Sequence, residues 1–238
     1  MKIIIDNPDF FRNALMLVRE IILEPFLVFD KDGLTVEGND MTMISYLRLF
    51  IPDKFFASYN LEEKESYCLK ISDLIDVLRK VPNKAVIVME VKDNLFVVKG
   101  KADRVFKYQF SLIEKNPEQV TKPKDASFDV SFTVQAKLLL DMVDAGFDNQ
   151  VVFSVENSMF CLNSGDVLTG FSEQKIKVNA QKNCEAKYDK DYISRVLKYL
   201  ARLSKSIEVK FGKDYPLMLS VKDDLTAEFF LAPIVENK

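Results

Sequence analysis

The chain has 238 residues, with 33 Lys or Arg against 36 Asp or Glu and a formal net charge of -3 at neutral pH. It holds no histidine, which excludes His-based triads, His general bases and His metal ligands, and neither a Walker-type nor a dinucleotide-type glycine loop exists to cradle phosphates. The acidic balance excludes a uniformly basic surface, so any nucleic-acid contact must come from a local basic face.

In chain order, an apolar strand (KIII, residues 2–5) opens the sequence. A first helix is expected from Asp9 to Ile22, with Asn7 as N-cap and Pro8 in the first helical position. Phe29 ends one strand and Leu34 starts the next, with KDG as the turn between them. A second helix runs from Ser72, read as its N-cap, to Lys80 and stops before Pro82. The runs AVIVMEV, LFVVKG and VFKYQFSLI read as antiparallel strands. KNPEQVTKPKD (115–125) has two prolines and one apolar residue, and reads as an extended connector. FDVSF, a helix from Val134 to Ala145 stopped by Gly146, and the strand QVVFSV follow. The last helix spans Lys190 to Lys205, capped by Asp189, before the strands SIEVKF, LMLSV and TAEFFLAPI. Few helices among many antiparallel strands give an α+β fold class.

The apolar runs are short, and none approaches the ~20 residues of a membrane span. MKIIIDNPDFF lacks the apolar region of a secretory signal, so a soluble intracellular protein without membrane partners is expected. Cys68, Cys161 and Cys184 match neither a C-x-x-C site nor a disulfide framework and read as reduced thiols. No cofactor and no metal are expected.

The chain repeats itself. YCLKISDLIDVLRKV (67–81) and AKYDKDYISRVLKYL (186–200) align 119 residues apart, half the chain length. Leu74 falls on Ile193, Val77-Leu78 on Val196-Leu197, and Arg79 on Lys198. The strands and turns that follow agree as well. A half-chain duplication implies two similar domains, placed at 1–115 and 128–238 with a connector at 116–127.

The last helix carries the clearest electrostatic pattern. Arg195, Lys198, Arg202 and Lys205 share one face, opposite an apolar stripe of Ile193, Val196, Leu197, Leu200 and Leu203. Such a face is either solvated charge or a surface that lies along phosphates. The first helix offers Arg12 and Arg19, the second Arg79 and Lys80, and the third only Lys137 beside Asp141 and Asp144.

VKFGKDYPLMLSV followed by AEFFLAPIVENK resembles the end of DNA sliding clamps of the proliferating-cell-nuclear-antigen (PCNA) type. LTVEGNDMTMISYLRLFIPDKFFASY resembles a strand pair and loop of their first domain. The resemblance covers essentially the whole chain. It implies the DNA-clamp fold, with two similar domains of two strand-helix-strand units each. Three subunits would close into a ring, with helices lining the bore and sheets outside. It further implies a non-catalytic processivity factor encircling double-stranded DNA. DNA polymerase, clamp loader, flap endonuclease and DNA ligase would dock through short peptide motifs.

On that resemblance Arg12, Arg19, Arg79, Lys80, Lys137, Arg195, Lys198, Arg202 and Lys205 face DNA. The partner-peptide pocket takes Ile44, Tyr46, Val120, Pro216, Phe230, Ala232, Pro233 and Ile234. Asn39 stands where the family usually has an apolar residue, and Ile234 where it has a basic one. Subunits would join through Phe106, Tyr108 and Phe110 of a strand at 106–113 and Lys175, Lys177 and Val178 of an edge strand near 175–180. The assembly is a homotrimer or one part of a heterotrimer, located with the DNA. The competing enzyme reading gathers Asp30, Asp32 and Glu37 around a hard cation; the plain reading of the same residues is the KDG turn.

Overall fold

A computed structural model describes residues 1–116, 119–123, 128–171 and 176–235. The chain divides into two compact units. The first holds Met1–Met43, Leu47–Thr121 and Asp224–Thr226, and the second Ile44–Tyr46, Lys122–Asp223 and Ala227–Lys238.

The first unit runs β1 (Lys2–Ile5), α1 (Pro8–Arg19), β2 (Phe26–Asp30), β3 (Gly33–Asn39), β4 (Ser45–Pro52), a 3-10 turn (Asp53–Phe55), β5 (Ser58–Asn60), β6 (Glu65–Cys68), α2 (Ile71–Lys80), β7 (Val86–Lys92), β8 (Leu95–Lys101) and β9 (Val105–Ser111). The second runs β10 (Val130–Gln135), α3 (Ala136–Ala145), β11 (Gln150–Glu156), β12 (Met159–Ser164), β13 (Val167–Gly170), β14 (Asn179–Ala180), β15 (Cys184–Asp189), α4 (Lys190–Leu203), β16 (Ser206–Phe211), β17 (Leu217–Lys222) and β18 (Thr226–Leu231). Both therefore read strand, helix, five strands, helix, three strands.

The pairing repeats too. The strand order β5-β1-β7-β8-β9 of the first unit matches β14-β10-β16-β17-β18 of the second. Likewise β4-β3-β2-β6 matches β13-β12-β11-β15. Every register resolved within these sheets is antiparallel. The α+β class and the half-chain duplication read from the sequence are both observed.

Alternation builds the sheets: in β10 Val130, Phe132 and Val134 are buried while their neighbours are not. Asp93-Asn94 and Asn157-Ser158 turn β7 into β8 and β11 into β12, all four residues with positive φ. Those values match the two-residue hairpin whose twist suits the flanking strands. In the second unit the rings of Phe132, Phe153, Phe160, Phe211 and Tyr188 cluster, with centroids 4.7–6.2 Å apart.

The helices bury one stripe each. In α2 it is Ile71, Leu74, Ile75, Val77 and Leu78; in α4 it is Ile193, Val196, Leu197 and Leu200 with Ser194. Asn7 caps α1 by accepting from Phe10 N, and Asp189 caps α4 by accepting from Asp191 N and Tyr192 N.

Four helix limits differ from the sequence expectation. α1 stops at Arg19, and Ile21 and Ile22 instead turn back to Val18 O. Ser72 lies inside α2: the cap position is Lys70, which supplies no capping bond, and Ser72 Oγ reaches only Asp73. α3 begins at Ala136, because Val134 and Gln135 are held in β10 by pairing with β16. α4 ends at Leu203, where Ser204 turns extended and its Oγ donates to Ser206 O at 2.9 Å. Gly146 does follow α3, but with φ -80 it is not left-handed. Its role is space: a Cβ there would lie 2.1 Å from Ser164 Cβ. No described helix is long and apolar enough to cross a membrane.

Candidate functional site

The basic side chains of the four helices fall into two groups. In the first group each base lies beside a carboxylate. Arg12 pairs with Asp9, Arg19 with Glu20 at 3.4 Å, Arg79 with Asp76 at 3.4 Å, and Lys137 with Asp141 at 2.6 Å. Lys80 ends α2 exposed.

The second group is on α4, except that Lys205 lies beyond the helix end at Leu203 and so leaves the helical face expected for it. Arg195 lies over the Tyr192 ring, 4.7 Å from its centroid, and its Nε donates to Asp191 O at 3.3 Å. Arg202 lies over Tyr199 at 5.0 Å. Lys198, Arg202 and Lys205 are exposed. Asp144 of α3 is turned to the α3–α4 contact, where its Oδ1 accepts from Ser194 Oγ at 2.6 Å. A base beside a carboxylate presents little net field to a phosphate, whereas a base on an aromatic face keeps its full charge.

The expected partner pocket divides by unit. In the second unit Ile44 O accepts from Ala232 N at 2.8 Å, and the buried Tyr46 ring lies 6.1 Å from that of Phe230. Phe230, Ala232, Pro233 and Ile234 are half-buried, as is Pro216 just before β17. Ile234 N donates to Lys187 O at 2.8 Å, laying the tail along β15. A cavity of about 1200 Å³ opens beside it, lined by Ile234, Val235, Cys184, Lys187, Lys213 and Asp214 among others.

Val120 lies in the first unit, on a separate cavity of about 390 Å³ with Leu23, Phe26, Met41 and Met43. Leu23, Met41 and Met43 are 56%, 83% and 54% exposed, and all three were missed by sequence reasoning. Their signal was the pair of methionines in N-D-M-T-M, apolar residues in a turn where solvent should favour polar ones. The connector is fixed over this cavity at two points. Asn39 Nδ2 donates to Thr121 O and its Oδ1 accepts from Thr121 N, both at 2.9 Å. Lys115 Nζ meets Glu24 at 2.6 Å. Asn39 thus ties Thr121 to the end of β3.

β9 ends its sheet, with one edge unpaired within its unit. Phe106, Tyr108 and Phe110 are half-buried on one face, while the opposite face is exposed, Val105 at 76%. Lys175 lies outside the described residues. Lys177 is exposed and Val178 half-buried, and both precede the two-residue β14 rather than forming a strand. β13 is an end strand of the four-stranded sheet, and its Leu168 is 68% exposed.

Cys68 and Cys184 are buried free thiols. Burial pushes the Cys68 thiol up to about 11, which makes it a poor nucleophile near neutral pH. Asp30 Oδ1 accepts from Lys31 N at 2.6 Å, and Asp32 O accepts from Asp53 N at 3.1 Å, as turn residues do. Among the described residues no three His, Cys, Asp or Glu gather as a metal site.

No family model matches the chain. It is 24% identical to "DNA polymerase sliding clamp 2" of Sulfolobus acidocaldarius, over 98% of this chain and 99% of that protein. It is also 24% identical to "DNA polymerase sliding clamp 3" of Sulfurisphaera tokodaii, over 99% of this chain and 100% of that protein. Among solved structures, a PCNA2-PCNA3 complex from Sulfolobus tokodaii matches with a TM-score of 0.86, 23% identity, and coverage of 99% of this chain and 100% of that one. The chain therefore has the PCNA clamp fold, and its likeness in sequence runs to sliding clamps from end to end.

Proposed function

We propose that the chain is a subunit of a DNA sliding clamp, a ring that encircles duplex DNA and tethers DNA polymerase and other replication and repair enzymes to it. The observation that carries this reading is similarity over the whole chain to relatives named DNA polymerase sliding clamps, on a fold built as one plan executed twice. Residues 1–115 and 128–238 act as the two clamp domains and 116–127 as their connector. Retention is topological, so it needs only weak, sequence-independent phosphate contact and no catalytic group.

Clamp loader, flap endonuclease and DNA ligase would dock as short peptides. The half-buried apolar groups Phe230, Ala232, Pro233 and Ile234 have the exposure that an anchor site requires. Neighbouring subunits would join by strand addition at the free edge of β9, through Phe106, Tyr108 and Phe110. Its counterpart is better supported at β13, with Leu168 exposed, than at Lys175, Lys177 and Val178. Edges of this kind are liabilities unless another strand covers them.

The test compares retention on closed circular and on linear duplex after loading. A clamp stays on the circle and is lost from free ends; equal loss from both would refute the proposal. The unequal charge of the helices favours membership of a heteromeric ring. Sedimentation of the chain alone then gives less than a trimer, and a stable trimer would favour the homomeric form.

A further inference from the structure

Resting on the clamp reading, we propose that contact with the duplex is concentrated on α4 and the residue past its end, where Lys198, Arg202 and, beyond the helix, Lys205 meet phosphates and Tyr199 is a positioning residue for Arg202. α4 carries four bases to one acid, whereas α3 carries one base to two acids and α2 two of each. On α1, α2 and α3 a carboxylate lies within 4 Å of every base except Lys80, the last residue of α2. Each such pair is close to a dipole. Its field falls off faster than that of a lone charge and is screened further by salt. Among the described residues Lys198, Arg202 and Lys205 have no carboxylate partner, so their charge reaches outward.

The sequence of α4 holds a short internal repeat. Tyr192-x-x-Arg195 recurs seven residues later as Tyr199-x-x-Arg202, and in both the guanidinium lies on the ring three residues before it. Seven residues are about two turns, so both pairs share a face. Lys198 sits on the same face between them. The ring covers only the flat side of the guanidinium. On Arg202 the N–H donors radiate from the edge, where a phosphate can meet them. A long side chain is thus held in place before contact, without being neutralised. Ordering it in advance removes part of the entropy that binding would otherwise cost.

The test measures affinity of the intact ring for a labelled linear duplex as salt is varied. Removing one phosphate contact flattens the slope of log affinity against log salt by about 0.9. Lys198→Ala, Arg202→Ala and Lys205→Ala are each expected to flatten it by about that amount. Arg79→Ala and Lys137→Ala are expected to leave it unchanged. Tyr199→Leu keeps the charge, so it lowers affinity several-fold at constant slope, and Tyr199→Phe, which keeps the ring, restores it.

Equal flattening by Arg79→Ala, or no flattening by the α4 variants, would overturn the assignment. So would the absence of any measurable affinity in the unsubstituted ring. Retention on circular DNA is read separately. A ring retained on circles whose slope ignores α4 sinks this inference and spares the clamp reading. Loss from circles with an α4-dependent slope does the reverse.

Discussion

α2 and α4 occupy the same place in the two units, and they have kept one face while changing the other. Leu74, Val77 and Leu78 correspond to Ile193, Val196 and Leu197, and all six are buried. Their exposed faces differ: α2 balances Asp73 and Asp76 against Arg79 and Lys80, while α4 carries an arginine on a tyrosine twice over. Packing fixes the buried stripe because interiors tolerate little change in volume. Solvent imposes no such limit, so the outer face is free to specialise. The caps differ too: Asp189 closes the start of α4, and Lys70 leaves α2 uncapped.

The largest effect tests whether the buried stripes are equivalent. Leu78 and Leu197 are both 0% exposed. Leu78→Ala and Leu197→Ala should each destabilise by about 2–5 kcal/mol, read from urea unfolding. A cost near zero at either position would break the equivalence.

The next tests a place where the units diverge. After α1 the chain continues with Glu20 in helical geometry, but after α3 it needs Gly146 against Ser164. Gly146→Ala should destabilise by about 1–3 kcal/mol through overpacking. Glu20→Ala, at the corresponding position, should cost less than half of that in the same measurement.

The caps give a smaller effect of opposite sign in the two units. Asp189→Ala should cost about 1 kcal/mol. Lys70 and Asp189 share an extended backbone, with φ -73 and -70. Lys70→Asp should therefore add about 0.5–1 kcal/mol by supplying the missing acceptor. It gives up only an exposed 3.9 Å pair with Asp73, which is worth little. A loss of stability in Lys70→Asp would mean that more than a cap separates the two helices.

These contrasts also show what the sequence could reveal. The duplication, the apolar stripes, Asn7 and Asp189 were legible because each is a local pattern with a local cause. Ser72 misled because a serine at a helix start suits either the cap or the first turn, and only backbone geometry decides. The subunit edge near Lys175 came from the resemblance alone, with no local pattern of its own. β13, with half-buried Val167 and exposed Leu168, gives only a faint pattern. Met41, Met43 and Leu23 were missed because an exposed apolar residue in a loop has no periodicity to betray it. The neutralisation of Arg12, Arg19 and Arg79 depends on rotamers, which residue spacing does not reveal.

The smallest effect comes from a pair of glutamates on corresponding strands. Glu90 on β7 meets Lys99 on β8 at 2.6 Å, whereas Glu208 on β16 faces the Ser220 hydroxyl at 3.3 Å and Lys210 at 2.9 Å. The hydrogen bond from Lys99 holds the Glu90 carboxyl below its ordinary value of 4.5. A lowered folded-state pKa means that the unfolded chain binds the proton more readily. The stabilisation is therefore complete above that ordinary value and is lost as pH falls through the lower folded value. Because the pair is partly exposed, its worth is at most about 1 kcal/mol. Glu90→Gln should reduce stability by that amount at about pH 6, and by progressively less as pH falls below the ordinary carboxylate value, in urea titrations across that range. A deficit in Glu90→Gln that did not shrink on acidification would mean that Glu90 acts through packing, and that its charge does not separate the two units.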